Sequence, residues 1–435
     1  MQKYLSILIT LLFTNISYSQ SYTSWITGDE TDFVTTTYQP GIVLAGGGGD
    51  NDDGMKWMLN RAGGGDVLVI RASGSDGYNE YFFSELGVSV NSVETIRFNS
   101  IEAATDEYVL TQIQNAEVVF MAGGDQYDYY QYWKDTPVEA ALNALLNEKQ
   151  ITVGGTSAGM AILGDAYYTP PGGSLDSEEA LSNPFHPDTE IIGKGDFLQV
   201  PFLTNVITDT HYDDRERWGR HLTFLARVVT DFDTPALGIA SNEWVAVCVD
   251  ETGIATIFGE YPEYEEYAYF LTTSCHDDAA PEVIEAGTPL TWDKNGSAVS
   301  VYKVPGTIDG MNTFDLNDWT TGNGGNWEHW FAIEGELSRV PTDSICNLST
   351  AVSDILKDNE FKIFPNPVEN ELTIDFSNKS LEGKIQIIDV FGKVVFEKNG
   401  NNFKEKINVE NLNSGIYFLT IEENGVRKSE RFMKL

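Results

Sequence analysis

Positive charge is scarce in this chain of 435 residues: 27 Lys+Arg stand against 66 Asp+Glu, a formal net charge of −39. Phosphate backbones and anionic lipid surfaces are held by clustered Lys and Arg. The deficit therefore excludes a nucleic-acid binder and a protein that rests on acidic membranes. Cysteine is scarcer still. Only Cys248, Cys275 and Cys346 occur, with no CxxC pair and no zinc spacing. Cys248 lies in the apolar run Trp244–Val249 and reads as a core residue. Cys275 and Cys346 lie in polar stretches and can pair if the compartment is oxidising. Long apolar runs are absent: none approaches the roughly 18 residues that a membrane-spanning helix needs. Core-forming material is not scarce. At 41% hydrophobic and 12% aromatic, the chain can bury a sizeable core, which excludes wholesale disorder.

The charge is uneven. Residues 361–435 hold 11 basic and 11 acidic residues, so the first 360 carry 16 basic against 55 acidic. A step this sharp separates two units. The acidic body reads as a solubility device, or as an attractor of a cationic substrate. The N-terminus begins with Lys3, the apolar run Leu5–Phe13 and the small residues Ser17 and Ser19 ahead of Gln20. That is the pattern of a secretory signal peptide, expected over residues 1–19.

From about residue 38, short apolar runs end in glycine. Ile42–Ala45 precedes Gly46-Gly47-Gly48-Gly49, Val118–Met121 precedes Gly123-Gly124, and Ile151–Val153 precedes Gly154-Gly155. Helix-like segments lie between: 54–62, 78–86, 101–115 and 138–148. This alternation predicts an α/β fold, a mostly parallel sheet with flanking helices. Ligands bind such sheets beyond the carboxyl ends of the strands. Residues 206–208, 215–229 and 244–249 continue the pattern as strand, helix and strand. Residues 260–345 read as short strands and loops that close the domain. Residues 347–360 read as a linker. Residues 361–435 alternate or are β-branched, with Asn399-Gly400 and Asn424-Gly425 as hairpin turn signals, and predict a small all-β sandwich domain.

Gly155-Thr156-Ser157-Ala158-Gly159 fits G-x-S-x-G between a strand and a helix, the context in which that motif exposes a nucleophile. The Ala158 N–H then points to where an oxyanion forms. The bland reading is a glycine-rich turn that merely packs. Serine needs a base. Of five histidines (His186, His211, His221, His276, His329), His211 ends the 206–208 strand and leads a polar cluster. Glu243, after Gly238–Asn242, is the candidate orienting acid, with Asp209 and Asp165 as rivals. The order serine, histidine, acid differs from that of ordinary α/β-hydrolases.

Three blocks carry a resemblance: Val119–Gln126, Gly154–Gly159, and Asn205–His211 followed by Arg215, Arg217, Gly219 and Arg220. Residues from about 40 to 260 resemble the cyanophycinase and peptidase E family of serine peptidases. The resemblance implies a fold like that of class I glutamine amidotransferases, within a catalytic domain spanning 20–346. It implies Ser157 as nucleophile, His211 as base and Glu243 as acid. It implies Gly124 and Ala158 as the oxyanion hole, and Gln126, Asp209, Arg215, Arg217 and Arg220 as substrate-binding residues. The guanidinium groups suit an aspartyl carboxylate, or else bridge neighbouring carboxylates. The implied substrate is a peptide or polyamide such as cyanophycin, cut at aspartyl or β-aspartyl-arginine bonds. A peptidase E-like dipeptidase and an inactive binder on the same fold are the alternatives. Thr210 stands where the family usually carries glutamine. No cofactor or metal is expected.

The C-terminal 75 residues resemble the sorting domain of the type IX secretion system of Bacteroidetes, through Phe364–Pro367, Ile388–Lys393 and Leu412–Phe418. This implies that the secretion machinery is a partner and that the protein is secreted, or attached to the cell surface, via the periplasm. Two weaker features remain. Asp50–Gly54 is a carboxylate cluster without EF-hand spacing. The run Glu260–Tyr269 reads as a solvated rim, or as an aromatic–acidic wall for a cationic side chain.

Overall fold

The computed structural model describes residues 20–189, 192–276, 278–343, 345–346, 362–375, 383–389, 393–400, 404–423 and 426–435. The expected signal peptide and linker lie outside the described residues. The chain divides into two compact units, residues 1–347 and 348–435.

The first unit is built on two sheets. One contains β1 (Tyr22–Gly28), β2 (Gly41–Ala45), β3 (Asp66–Arg71), β4 (Ser92–Phe98), β5 (Val118–Met121) and β6 (Thr152–Thr156). Within it β4, β3, β5, β6 and β2 lie side by side and run parallel. These strands are buried on both faces, which is why they read as continuous apolar runs. β1 adds an antiparallel edge that pairs with β4. The second sheet contains β7 (Ala166–Tyr168), β8 (Ile192–Lys194), β9 (Val206–Asp209) and β10 (Leu237–Ser241), with β9 parallel to both β7 and β10.

β11 (Ala246–Asp250) and β12 (Ile254–Phe258) extend the first sheet antiparallel beyond β2. β13 (Tyr267–Thr272) and β14 (Val299–Pro305) extend the second beyond β10. The region 260–345 therefore forms sheet extensions as well as loops, and both sheets are mixed around parallel centres.

Several helices start on an Asn or Asp side chain. Asn51, Asp106 and Asp125 cap the helices Asp52–Asn60, Glu107–Asn115 and Gln126–Trp133 through their side chains. Asp52 and Asp53 of the Asp50–Gly54 cluster are thus the first turn of a helix. Among the described residues no group of three His, Cys, Asp or Glu is arranged to hold a metal ion. The helix expected over 215–229 begins later, at Trp218, because 212–217 forms turns. Cys248 is fully buried, and Cys275 is bonded to Cys346. No helix among the described residues is long and apolar enough to cross a membrane.

The second unit has a three-stranded and a four-stranded antiparallel sheet that share a core of Leu372, Ile385, Ile387, Leu419 and neighbours. Asn399 and Gly400 lie inside the strand Val394–Gly400, paired with Lys384 and Gly383, so they are not the turn expected there. Residues 424–425 lie outside the described residues.

Candidate active site

Three carboxyl ends meet in the first sheet. Ala45 of β2 pairs with Thr156 of β6, and Met121 of β5 pairs with Gly155. The chain beyond them therefore delivers Gly46–Gly49, Ser157 and Gly123-Gly124 to one edge. In the second sheet, parallel β9 and β10 deliver His211 and Glu243 in the same way.

The sequence-predicted catalytic residues come together. Ser157 Oγ lies 2.8 Å from His211 Nε2, and His211 Nδ1 lies 2.5 Å from Glu243 Oε1. A carboxylate only accepts, so Nδ1 carries the hydrogen and Nε2 is left to accept from the serine hydroxyl. Burial, together with the nearby Arg215 and Arg217 guanidinium groups, holds the His211 imidazole below the ordinary histidine range, although Glu243 pulls it upward. It is therefore neutral at pH 7. The rival acids are otherwise engaged. Asp165 pairs with Lys194 at 3.1 Å and accepts from Asn205 N, and Asp209 belongs to Arg220. His221 is buried in its helix between Tyr212 and Ile207 O, and burial lowers it to about 4.

Ser157 has φ 52° and ψ −115°, a backbone state that side chains other than glycine rarely adopt. His211 and Trp244 also have positive φ, at 47° and 64°. Consecutive carbonyls at the end of β2 hold all three. Ala45 O accepts from Ser157 N at 3.0 Å, Gly46 O from His211 N at 2.8 Å, and Gly47 O from Trp244 N at 3.1 Å. The glycines are there for close approach. A Cβ on Gly47 would meet His211 Cε1 and Nε2 at 2.6 Å and Ser157 Cβ at 3.0 Å. These supports were not anticipated as site residues, although four glycines at a strand end were the visible signal.

A cavity of about 260 Å³ opens at Ser157, lined by Gly124, Gln126, Ala158, Asp209, Arg215, Arg217 and Arg220 among others. Ala158 opens a helix, so its N–H has no acceptor within that helix. The three arginines differ. Arg220 is bound to Asp209 by a fork, Nε to Oδ2 at 2.8 Å and Nη2 to Oδ1 at 2.5 Å, and its Nη1 donates to Ser174 Oγ. Burial alone would raise Asp209, yet Arg220 and Arg217 hold it below the usual carboxylate range. Arg217 donates to Thr210 O at 2.8 Å, and burial lowers it to about 10. Arg215 is exposed at the rim and has no side-chain partner among the described residues.

A second cavity, of about 690 Å³, is lined by Asp50, Asp52, Asp53, Glu260 and Glu266 with Trp244 and Tyr264. It brings part of the Glu260–Tyr269 run beside the residue that follows Glu243. Asp50 accepts from Tyr78 OH at 2.6 Å, and burial raises its carboxyl.

Residues 76–253 match Peptidase family S51, and residues 362–434 match a Secretion system C-terminal sorting domain. A cyanophycinase from Geminocystis herdmanii is 29% identical over 248 residues, 53% of this chain and 85% of that protein. One from Trichormus variabilis is 26% identical over 178 residues, 41% of this chain. That match spans about half of the Trichormus protein, 53% of its length. Among solved structures, a peptidase from an acI-B1 Actinobacterium aligns at a TM-score of 0.40 and 14% identity, over 64% of this chain and 98% of that one.

Proposed function

We propose that this protein is an exported serine peptidase of cyanophycinase type, cutting aspartyl or β-aspartyl-arginine amide bonds. The observation that carries the reading is the continuous relay Ser157–His211–Glu243, with hydrogen bonds of 2.8 Å and 2.5 Å. Ser157 Oγ attacks the amide carbonyl while its proton passes to His211 Nε2. Glu243 stabilises the imidazolium that forms. The N–H groups of Ala158 and Gly124 hold the tetrahedral oxyanion. His211 then protonates the departing nitrogen, and water, deprotonated by the same imidazole, releases the acyl group. Arg215 is the guanidinium at hand for a substrate carboxylate, while Arg217 and Arg220 shape the wall. The acidic, aromatic second cavity favours a substrate with cationic side chains, and so a polymer such as cyanophycin over a neutral Asp-X dipeptide.

The sorting domain supports type IX export to the medium or the cell surface. The catalytic reading is tested with a fluorophosphonate probe, which the parent takes up and Ser157→Ala does not, both remaining folded. Equal labelling of the two proteins would overturn it. Release of soluble peptides from cyanophycin, compared with cleavage of Asp-X dipeptides, separates this reading from a peptidase E-like dipeptidase.

A further inference from the structure

His211 and Glu243 come from different loops, and one hydrogen bond between two side chains does not by itself fix the distance between loops. A second link does. Asn242, directly before Glu243, is 3% exposed. Its Nδ2 donates to Asp213 Oδ2 at 2.9 Å and to Glu265 O at 3.1 Å, and its Oδ1 accepts from Asp213 N at 3.3 Å. Asp213 stands two residues after His211. The Asn242 side chain thus cross-links the acid loop to the base loop, giving one hydrogen bond to the Asp213 carboxylate and taking one from the Asp213 backbone N–H.

Asp213 is itself anchored to the fold. Its carboxylate accepts from Tyr269 OH at 2.8 and 2.7 Å and from Trp218 Nε1 at 2.7 Å. Tyr269 is fully buried in β13, in register with Ala240 of β10, so the sheet fixes where its hydroxyl sits. Trp218 begins the helix 218–232. No Lys or Arg lies within ion-pair distance of Asp213 among the described residues. Its partners are directional neutral donors, which fix orientation more narrowly than a flexible ion pair does. Next to it, Asp214 Oδ2 accepts from Glu243 N at 3.1 Å.

We propose that Asp213 and Asn242 are positioning residues that set the His211–Glu243 geometry and, through it, the reactivity of Ser157. The proposal rests on the serine-peptidase reading. It concerns two residues that touch neither the nucleophile nor the cavity at Ser157.

The test uses the full chain in four forms: parent, Asp213→Asn, Asn242→Asp, and both changes together. Asp213→Asn leaves one acceptor oxygen where Asn242 Nδ2 and Trp218 Nε1 each need one, so one of those donors meets an amide N–H. Asn242→Asp sets a carboxylate against the Asp213 carboxylate. The exchanged pair restores one donor facing one acceptor. The first readout is the rate of fluorophosphonate labelling, in which Ser157 Oγ bonds to phosphorus, fluoride leaves and the proton passes to His211. The second is the downfield proton resonance of His211 Nδ1–H, assigned by its loss in His211→Ala, which reports the bond to Glu243 independently of any chemistry.

Each single change is expected to slow labelling about 10- to 100-fold, the cost of a displacement on the order of 1 Å, and to shift or broaden the resonance. The exchanged pair should recover part of both, because residue 242 then meets residue 213 again but no longer donates to Glu265 O. Tyr269→Phe, which removes the anchoring hydroxyl while keeping the ring, should produce a smaller loss of the same kind and replaces any single variant that does not fold. Single variants that label at the parental rate with an unchanged resonance, whatever their melting temperature, would overturn the proposal and leave the serine-peptidase reading intact. A parent that takes no label would overturn both.

Discussion

Replacing Arg220 by alanine strands the Asp209 carboxylate in the protein interior. The two side chains are 4% and 3% exposed and meet in a two-pronged contact. Breaking such a buried pair by removing one partner costs about 3–5 kcal/mol, because the remaining charge is neither solvated nor paired. Arg217, 3.8 Å from Asp209, offsets part of this and puts the cost toward the lower end. With an unfolding entropy near 2.1 cal/mol/K per residue, a unit of this size should lose about 5 °C of melting temperature. Arg215→Ala should behave differently. Arg215 is exposed, so its removal should leave the melting temperature within about 1 °C, while loss of a charge-assisted hydrogen bond to a substrate carboxylate raises KM on the order of 10-fold. Thermal unfolding followed by circular dichroism, with kinetics on an aspartyl peptide, reads both effects. An Arg220→Ala protein that melts like the parent, or an Arg215→Ala protein that loses as much stability as Arg220→Ala, would refute this division of labour.

Gly47→Ala forces a Cβ to within 2.6 Å of the His211 ring at φ +94°, so labelling of Ser157 should fall on the order of 100-fold while the circular dichroism spectrum is kept; unchanged labelling would refute the fit. His211 must be neutral to accept the serine proton, and its pKa is lowered by burial and by Arg215 and Arg217, so the labelling rate should fall with falling pH at a midpoint below the ordinary histidine value of about 6.5; a midpoint at or above that value contradicts it. Replacing both Cys275 and Cys346 with serine removes a cross-link between residues 71 apart, worth about 4 kcal/mol in chain entropy, and should lower the melting temperature by several degrees without changing the labelling rate; no shift would refute a stabilising role.

Local chemistry was the most legible part of this site. Ser157 announced itself because a nucleophile on a sharp turn needs glycines within two residues on either side, and that need is written in consecutive positions. His211 was readable because its strand, β9, ends two residues earlier. Asp209 shows where sequence stops: its carboxylate looked equally fit to line a pocket or to orient a histidine, and only the spatial arrival of Arg220 decides. The helix Gln126–Trp133 escaped because QYDYYQYW has no apolar stripe; what it buries is Tyr129 and Trp133, four residues apart. β4 escaped because Ser92–Phe98 buries Glu94, which accepts from Tyr108 OH and Gln112 Nε2. A buried acid satisfied by distant donors looks like an exposed one until the fold is known.

The end of β2 explains why the three loops of the site can be strained together. Ser157, His211 and Trp244 each sit at positive φ, a state costing about 1–3 kcal/mol per residue unless the surroundings over-determine it. Each gives its N–H to one of the successive carbonyls of Ala45, Gly46 and Gly47. Successive carbonyls of a regular strand point to opposite sides. Three in a row can therefore serve three converging loops only where the chain leaves strand geometry, as it does at Gly47, φ +94°. The loops must also come so close that no side chain fits, which accounts for glycine at 46 and 47. Ser157, His211 and Trp244 are thereby referenced to one short segment of backbone as well as to one another. A single methyl group on Gly47 would therefore press on His211 and Ser157 at once.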